Sequence, residues 1–306
     1  MGSGRFAIPS LEAVLAQGHS VVAVVTQPDK PQGRGRETKA PPLKDAALAH
    51  GLEIFQPQRV RHPDAVEALR RWAPELQVVV AYGQILPRAV LDIPSRGSVN
   101  VHASLLPRYR GAAPIQWAIV NGEPETGVTT MLLDEGMDTG PTLLARATPI
   151  GRAETAPALE ERLARLGGEV LAATLTGLVQ GDLQPTPQDD ALASRAPIIK
   201  KEDGRVDWNE PAEQIERKIR GFFPWPGVTA SFRGSPLKLL RAEIGGAAGP
   251  ATAVGTLARE DRDALSVACG AGTRLRVLEV QPASRGPMSA AAFAAGARLL
   301  PVDRFD

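Results

Sequence analysis

Asn100 and His102 stand two residues apart in Ser-Val-Asn-Val-His, a β-type stretch that breaks at once into a loop punctuated by Pro107 and Gly111. Alternation along a strand turns both side chains to one face. In an open α/β sheet, ligands bind beyond the carboxyl ends of strands, where this pair sits. Asn100 can donate to an oxyanion, and His102 can move a proton near neutral pH. A buried Asn and His satisfied by backbone groups fit the same pattern. A second strand end offers a carboxylate: residues 128–133 form an apolar, β-branched run, followed by Asp134-Glu135-Gly136-Met137-Asp138-Thr139-Gly140. Two glycines bracket Asp138 in a tight loop, which also suits a solvated acidic turn.

The elements that would position these groups alternate. Periodicity predicts helices over residues 8–17, 64–72 and 112–120 and strands over 21–26, 53–55, 77–81, 98–101 and 128–133. This order predicts an α/β domain with a doubly wound, largely parallel, Rossmann-like sheet. A long helix over residues 155–179 ends it. From 182 to 203 the chain is polar and proline-punctuated, which reads as a linker. Then come a helix over 212–220 and short strands over 229–232, 237–242, 265–268 and 274–280. These predict a small β-barrel of the oligonucleotide-binding kind. The expected division is residues 1–181, a linker over 182–203, and 204–306.

Composition narrows the class. The 306 residues suffice for two domains, and a net charge of +1 gives no global field toward nucleic acid. Sixteen Lys and Arg against thirteen Asp and Glu in residues 200–306 make only a mild basic bias. A single cysteine, Cys269, excludes an intrachain disulfide and suits a reducing cytoplasm. No apolar run approaches the roughly 20 residues of a membrane span, and no His/Cys cluster suggests a metal.

Asn-x-His-x-Ser-Leu-Leu-Pro-x-x-Arg-Gly followed by Asp-x-Gly-x-Asp-Thr-Gly resembles the 10-formyltetrahydrofolate-dependent formyltransferases, matched without a gap. The preceding Ala81-Tyr82-Gly83-Gln84-Ile85-Leu86-Pro87 is similar to the loop that family sets against the folate pteridine ring. The resemblance implies Asn100, His102 and Asp138 as catalytic residues and 10-formyltetrahydrofolate as formyl donor, with no metal. It implies a folate groove shaped by Tyr82, Gly83, Ile85, Leu86, Pro87, Ser104, Leu105, Leu106, Pro107 and Asp134.

Two further features bear on the acceptor. Asp207-Trp208, residues 219–227 (Ile-Arg-Gly-Phe-Phe-Pro-Trp-Pro-Gly) and 280–290 resemble the C-terminal domain of the family's methionyl-tRNA branch. Residues 27–44 form a long connection carrying Lys30, Arg34, Arg36, Lys39 and Lys44; such loops are uncommon unless functional or disordered. By resemblance this is a basic finger for the tRNA acceptor arm, with Arg34 at its arginine position. Arg34, Arg36, Lys39 and, in the C-terminal part, Lys201 are the expected tRNA contacts. The implied partner is methionyl initiator tRNA, met by a cytoplasmic monomer in translation initiation. Another formyltransferase or hydrolase using the same folate, or a non-catalytic RNA-binding module, is the alternative.

Gly2-Ser3-Gly4-Arg5-Phe6 matches the family's loop after its first strand, so that strand is expected to be missing and the true start to lie upstream of Met1. In a doubly wound sheet the first strand is central.

Overall fold

Short apolar runs separated by amphipathic helices fold as alternating strands and helices. The computed structural model describes residues 1–32, 37–249, 252–259, 264–300 and 302–306. The chain forms two compact units. Unit 1 comprises Met1–Pro114, Glu125–Pro149 and Leu159–Pro197; unit 2 comprises Ile115–Pro124, Ile150–Ala158 and Ile198–Asp306.

In chain order the first part runs α1 (Ile8–Ala16), β1 (Val24–Val25), β2 (Lys30–Gln32), β3 (Glu37–Lys39), α2 (Pro42–Ala49), β4 (Ile54–Phe55), α3 (Pro63–Trp72), β5 (Gln77–Val79), α4 (Arg88–Leu91) and β6 (Ser98–His102). There follow β7 (Arg110–Gly111), α5 (Pro114–Val120), β8 (Glu125–Leu132), β9 (Thr142–Pro149), α6 (Ala156–Gln180) and β10 (Arg195–Ala196). Helix α3 shows the local logic. Pro63 opens it, the His62 side chain accepts from the Asp64 N–H, and Ala73 at φ 45° ends it in the left-handed region.

The pairs β1–β4 and β5–β6 are parallel, and the antiparallel pairs β6–β8 and β8–β9 extend the second of these ladders. Strand β9 escaped the sequence reading because Thr-Leu-Leu-Ala-Arg-Ala-Thr-Pro lacks an apolar alternation. Helices cover both faces. On one, Val66 and Leu69 of α3 join Val25, Val79, Tyr82, Leu86 and Val90 in a buried cluster. On the other, α6 crosses close to the strands: a Cβ at Gly167 would meet Val101 Cγ1 at 3.0 Å, and one at Gly168 would meet the Pro9 carbonyl of α1 at 2.7 Å. Two consecutive glycines cost a helix about 1 kcal/mol each, and the close approach they permit offsets that cost.

Strands β1–β4 and β5–β6–β8–β9 are separate ladders. Between them Gly2 N–H donates to the Val25 carbonyl (2.9 Å) and Val80 N–H to the Met1 carbonyl (2.8 Å). Of the strand expected over 21–26, Val24 and Val25 pair with Ile54 and Phe55.

Residues 182–197, read from sequence as a linker, belong to unit 1, where β10 pairs with β7 in parallel. Segments 115–124 and 150–158 cluster with unit 2 instead.

Unit 2 contains α7 (Ala212–Gly221), β11 (Val228–Phe232), β12 (Ser235–Ala247), β13 (Leu257–Arg259), β14 (Leu265–Ala268), β15 (Thr273–Pro282), β16 (Met288–Ser289) and α8 (Ala290–Ala297). The antiparallel order is β11–β12–β15–β14–β13, with β16 on β15. The curled sheet accords with the expected barrel class. Its ends are stitched by the chain terminus, where Phe305 bridges Phe232 and Arg304 bridges Thr256. Phe305 is fully buried, with ring contacts to Trp208 and Phe232. Helix α7 packs against α5, where Phe222 meets Trp117 edge-on at 5.6 Å.

Candidate active site

All five residues of β6 are buried, because β5 and β8 flank it and helices cover the sheet. Asn100 and His102 therefore emerge from the middle of the sheet with 9% and 6% of their surface exposed. The Asn100 carboxamide makes no hydrogen bond to another described residue. Beyond His102 the chain folds back on itself. Ser104 Oγ donates to the Arg108 carbonyl (2.6 Å), and Thr129 Oγ1 accepts from Leu106 N–H (3.1 Å) while donating to the Ser104 carbonyl (2.7 Å). The turn ends at Tyr109, held at φ 61°. Its carbonyl lies 2.9 Å from His102 Nε2. A carbonyl oxygen only accepts, so Nε2 carries a hydrogen. In the neutral ring, Nδ1 is then the nitrogen free to take a proton, and it faces Asp138 Oδ2 at 3.7 Å.

Asp138 owes its position to its loop. Asp134 Oδ1 accepts from Gly136 N–H (3.0 Å) and from Thr139 Oγ1 (2.8 Å), closing the turn after β8. A Cβ at Gly140 would overlap the Leu132 carbonyl, so only glycine lets the loop return to its strand. Asp138 sits at φ 57° and accepts from Gly111 N–H at 2.8 Å through the same Oδ2 that faces His102. One carboxylate oxygen thus ties the two motif loops together.

A residue absent from the sequence reading holds this loop from behind. Gln188 Nε2 donates to the carbonyls of Asp138 (2.8 Å) and Gly140 (2.7 Å), while its Oε1 accepts from Arg110 Nε (3.0 Å). Arg110 also donates to Asp190 (2.8 Å), and its guanidinium side chain is only 11% exposed. Nothing in the polar, proline-rich run around Gln188 signals this role.

The residues expected to shape the folate groove divide. Tyr82 and Leu86 are buried in the apolar cluster with Val79 and Val90. Burial pushes the Tyr82 hydroxyl up to about 12. Gly83 takes φ 80°, a left-handed turn suited to glycine, and Pro87 caps α4. Ile85 is left outside, 83% exposed. This loop and the Asp138 loop approach through Arg88 and Glu135 (3.9 Å), and the latter presents exposed Met137. Ser104 is fully buried, Leu105, Leu106 and Pro107 are partly exposed, and Asp134 is exposed at its turn.

Of the expected tRNA contacts, Arg34 and Arg36 lie outside the described residues. Exposed Lys39 pairs with Lys30 across the β2–β3 hairpin. The hairpin is anchored at Asp29, which accepts from Lys44 Nζ and Gln56 Nε2, both at 2.7 Å. These partners, Gln56 first, hold its carboxyl below the usual range. Lys201 is exposed in unit 2. Among the described residues no three His, Cys, Asp or Glu side chains group to hold a metal ion.

The chain matches the formyl transferase family over residues 1–175 and the formyl transferase C-terminal domain over residues 198–298. It is 51% identical over 296 residues to the methionyl-tRNA formyltransferase of Trichlorobacter lovleyi, covering 97% of this chain and 92% of that one. The methionyl-tRNA formyltransferase of Solibacter usitatus is 52% identical over 299 residues, with 98% and 95% covered. The chain belongs to the methionyl-tRNA formyltransferases. The fold of this formyltransferase also matches WlaRD, a sugar 3N-formyl transferase solved with dTDP and 5-N-formyl-THF. There the TM-score is 0.67 at 18% identity, over 93% of this chain and 97% of that one. In the formyltransferase, then, the Asn100–His102–Asp138 cluster lies on the unit that carries the family's N-terminal match.

Proposed function

We propose that this formyltransferase moves the formyl group of 10-formyltetrahydrofolate to the α-amino group of methionyl initiator tRNA. The observation that carries the reading is His102 held between the Tyr109 carbonyl and Asp138, one strand repeat from the unpaired Asn100 carboxamide.

The neutral amine attacks the formyl carbon on folate N10 and forms a tetrahedral oxyanion. Asn100 donates a hydrogen bond to that oxygen, where a positioned donor stabilises the transition state more than the ground state. The proton released by the amine passes to His102 Nδ1, directly or through one water. The imidazolium so formed faces the Asp138 carboxylate and keeps its Nε2–H on Tyr109. Its Nδ1 proton then goes to N10, the C–N10 bond breaks, and tetrahydrofolate leaves with N10–H restored. No residue becomes covalently attached.

Exposed Ile85 and Met137, on two approaching loops, supply apolar surface for a planar ring system. The neighbouring fold WlaRD was solved with a formylated folate, which supports a folate site in this unit. For tRNA, the basic segment over residues 27–44, carrying Arg34, Arg36 and Lys39, supplies phosphate contacts, with Lys201 adding to them. The enzyme works as a cytoplasmic monomer on this reading; its one cysteine is a buried thiol, and no described helix is long and apolar enough to cross a membrane.

The test is formylation of methionyl initiator tRNA by the wild type and by Asn100→Ala, His102→Ala and Asp138→Ala. Turnover should fall by about 10² or more in each, with tRNA affinity retained. Equal losses of turnover and tRNA binding would overturn the catalytic roles. Faster transfer to a free amino-sugar nucleotide or to water would overturn the acceptor.

A further inference from the structure

Gln27 opens the basic segment of residues 27–44, just after β1. Its carboxamide has both ends in use. Nε2 donates to the Tyr82 carbonyl at 3.1 Å, and Oε1 accepts from the exposed Lys30 Nζ at 3.4 Å. The backbone of Gln27 is held as well: its N–H donates to Ser3 Oγ (3.1 Å), and its carbonyl accepts from Gln56 Nε2 (2.9 Å). Gln56 Nε2 also donates to Asp29 Oδ1 (2.7 Å), and the other Asp29 oxygen holds Lys44. The first and last residues of the basic segment thus belong to one network, and that network ends on Tyr82.

Tyr82 lies in the loop of residues 81–87, between two residues in the left-handed region, Ala81 at φ 46° and Gly83 at φ 80°. Its ring is buried, while its carbonyl takes two donors from outside the loop, Gln27 Nε2 and Ser3 Oγ (3.3 Å). A Cβ at Gly83 would stand 3.6 Å from Gln27 Nε2, so the amide packs against this loop as well as bonding to it. Ile85, three residues beyond Tyr82, is exposed.

We infer that Gln27 is a positioning residue that couples the two substrates. Folate seated against residues 81–87 fixes the start of the basic segment, and tRNA held by that segment fixes the folate loop. This inference rests on the assignment of folate and methionyl initiator tRNA proposed above. The physical reason lies in the amide. Its donor and acceptor share one rigid plane, so neither bond shifts without the other. An ammonium on Oε1 polarises the group and strengthens the bond made by Nε2. A ligand that fixes the Tyr82 carbonyl therefore fixes the partner of Lys30, and the second ligand loses less binding energy in ordering its own loop. Such coupling is reciprocal, and at the low end of the usual range it is about fivefold.

The experiment measures binding of methionyl initiator tRNA to the full chain with and without saturating tetrahydrofolate, which has no formyl group to transfer. The converse titration measures tetrahydrofolate with and without the tRNA. In the wild type each ligand tightens the other about fivefold. Gln27→Ala abolishes the coupling, and each ligand alone binds within about twofold of its wild-type affinity. Gln27→Glu keeps an oxygen for Lys30 but loses the donor to Tyr82, and it abolishes the coupling too. Ser3→Ala removes the other donor to the same carbonyl and keeps the coupling. Coupling retained in either Gln27 variant would overturn the inference, as would an equal loss in Ser3→Ala, which would make Gln27 structural only. A wild type that formylates methionyl initiator tRNA but binds the two ligands independently overturns this inference alone. One that does not formylate that tRNA overturns the functional reading with it.

Discussion

Gln188 and Asp138 stand fifty positions apart and are joined by one hydrogen bond, from Gln188 Nε2 to the Asp138 carbonyl at 2.8 Å. The same Nε2 donates to the Gly140 carbonyl, and Arg110 fixes the opposite end of the amide. The carboxylate facing His102 is therefore held by its own backbone, which in turn is held by a residue outside both motifs.

Gln188→Ala should lower kcat about tenfold, as expected for two hydrogen bonds at roughly 0.5–1.5 kcal/mol each, with KM for folate and tRNA nearly unchanged. Steady-state kinetics separates these quantities. A change in KM alone would mean that Gln188 shapes binding and not the position of Asp138.

Asp138→Asn retains an oxygen for Gly111 N–H but removes the negative charge opposite His102. The fold should survive, with an unaltered Tm, while kcat falls by about 10². Retained turnover would assign Asp138 to loop structure.

Arg34→Ala should raise the tRNA KM, leave folate KM unchanged and reduce the salt slope of tRNA binding by about one counterion. Asp29→Ala, which cuts the hairpin's anchor to Lys44 and Gln56, should also raise tRNA KM. Binding titrations at several salt concentrations check both. Unchanged slopes would take residues 27–44 out of the tRNA contact.

Phe305→Ala should destabilise the protein by about 3–5 kcal/mol, the usual cost of truncating a buried phenylalanine. Phe305 is 1% exposed and stitches β11 to the rest of its sheet. Urea unfolding followed by Trp208 fluorescence reads the loss.

The Asn100–His102–Asp138 cluster was legible because each member sits at a strand end whose apolar run is local in sequence. Period-two spacing alone sets Asn100 beside His102, and the Gly-Met-Asp-Thr-Gly run alone marks a tight loop. Tyr82 and Leu86 lie in an equally visible motif, but their large apolar side chains went to the core. A motif names the segment near a ligand without saying which of its side chains turn outward. Strand β9, whose residues carry no apolar alternation, became a strand through pairing with β8.

By itself the sequence determined the class of the fold and the short antiparallel strands of the second unit, since these follow from short-range periodicity. Tertiary structure alone decided that His102 presents Nδ1, that Asp138 faces it, and that Gln188 supports the loop. Each of those depends on hydrogen bonds between segments 7 to 50 residues apart, whose donors and acceptors carry no mark in the chain of the partner they will meet.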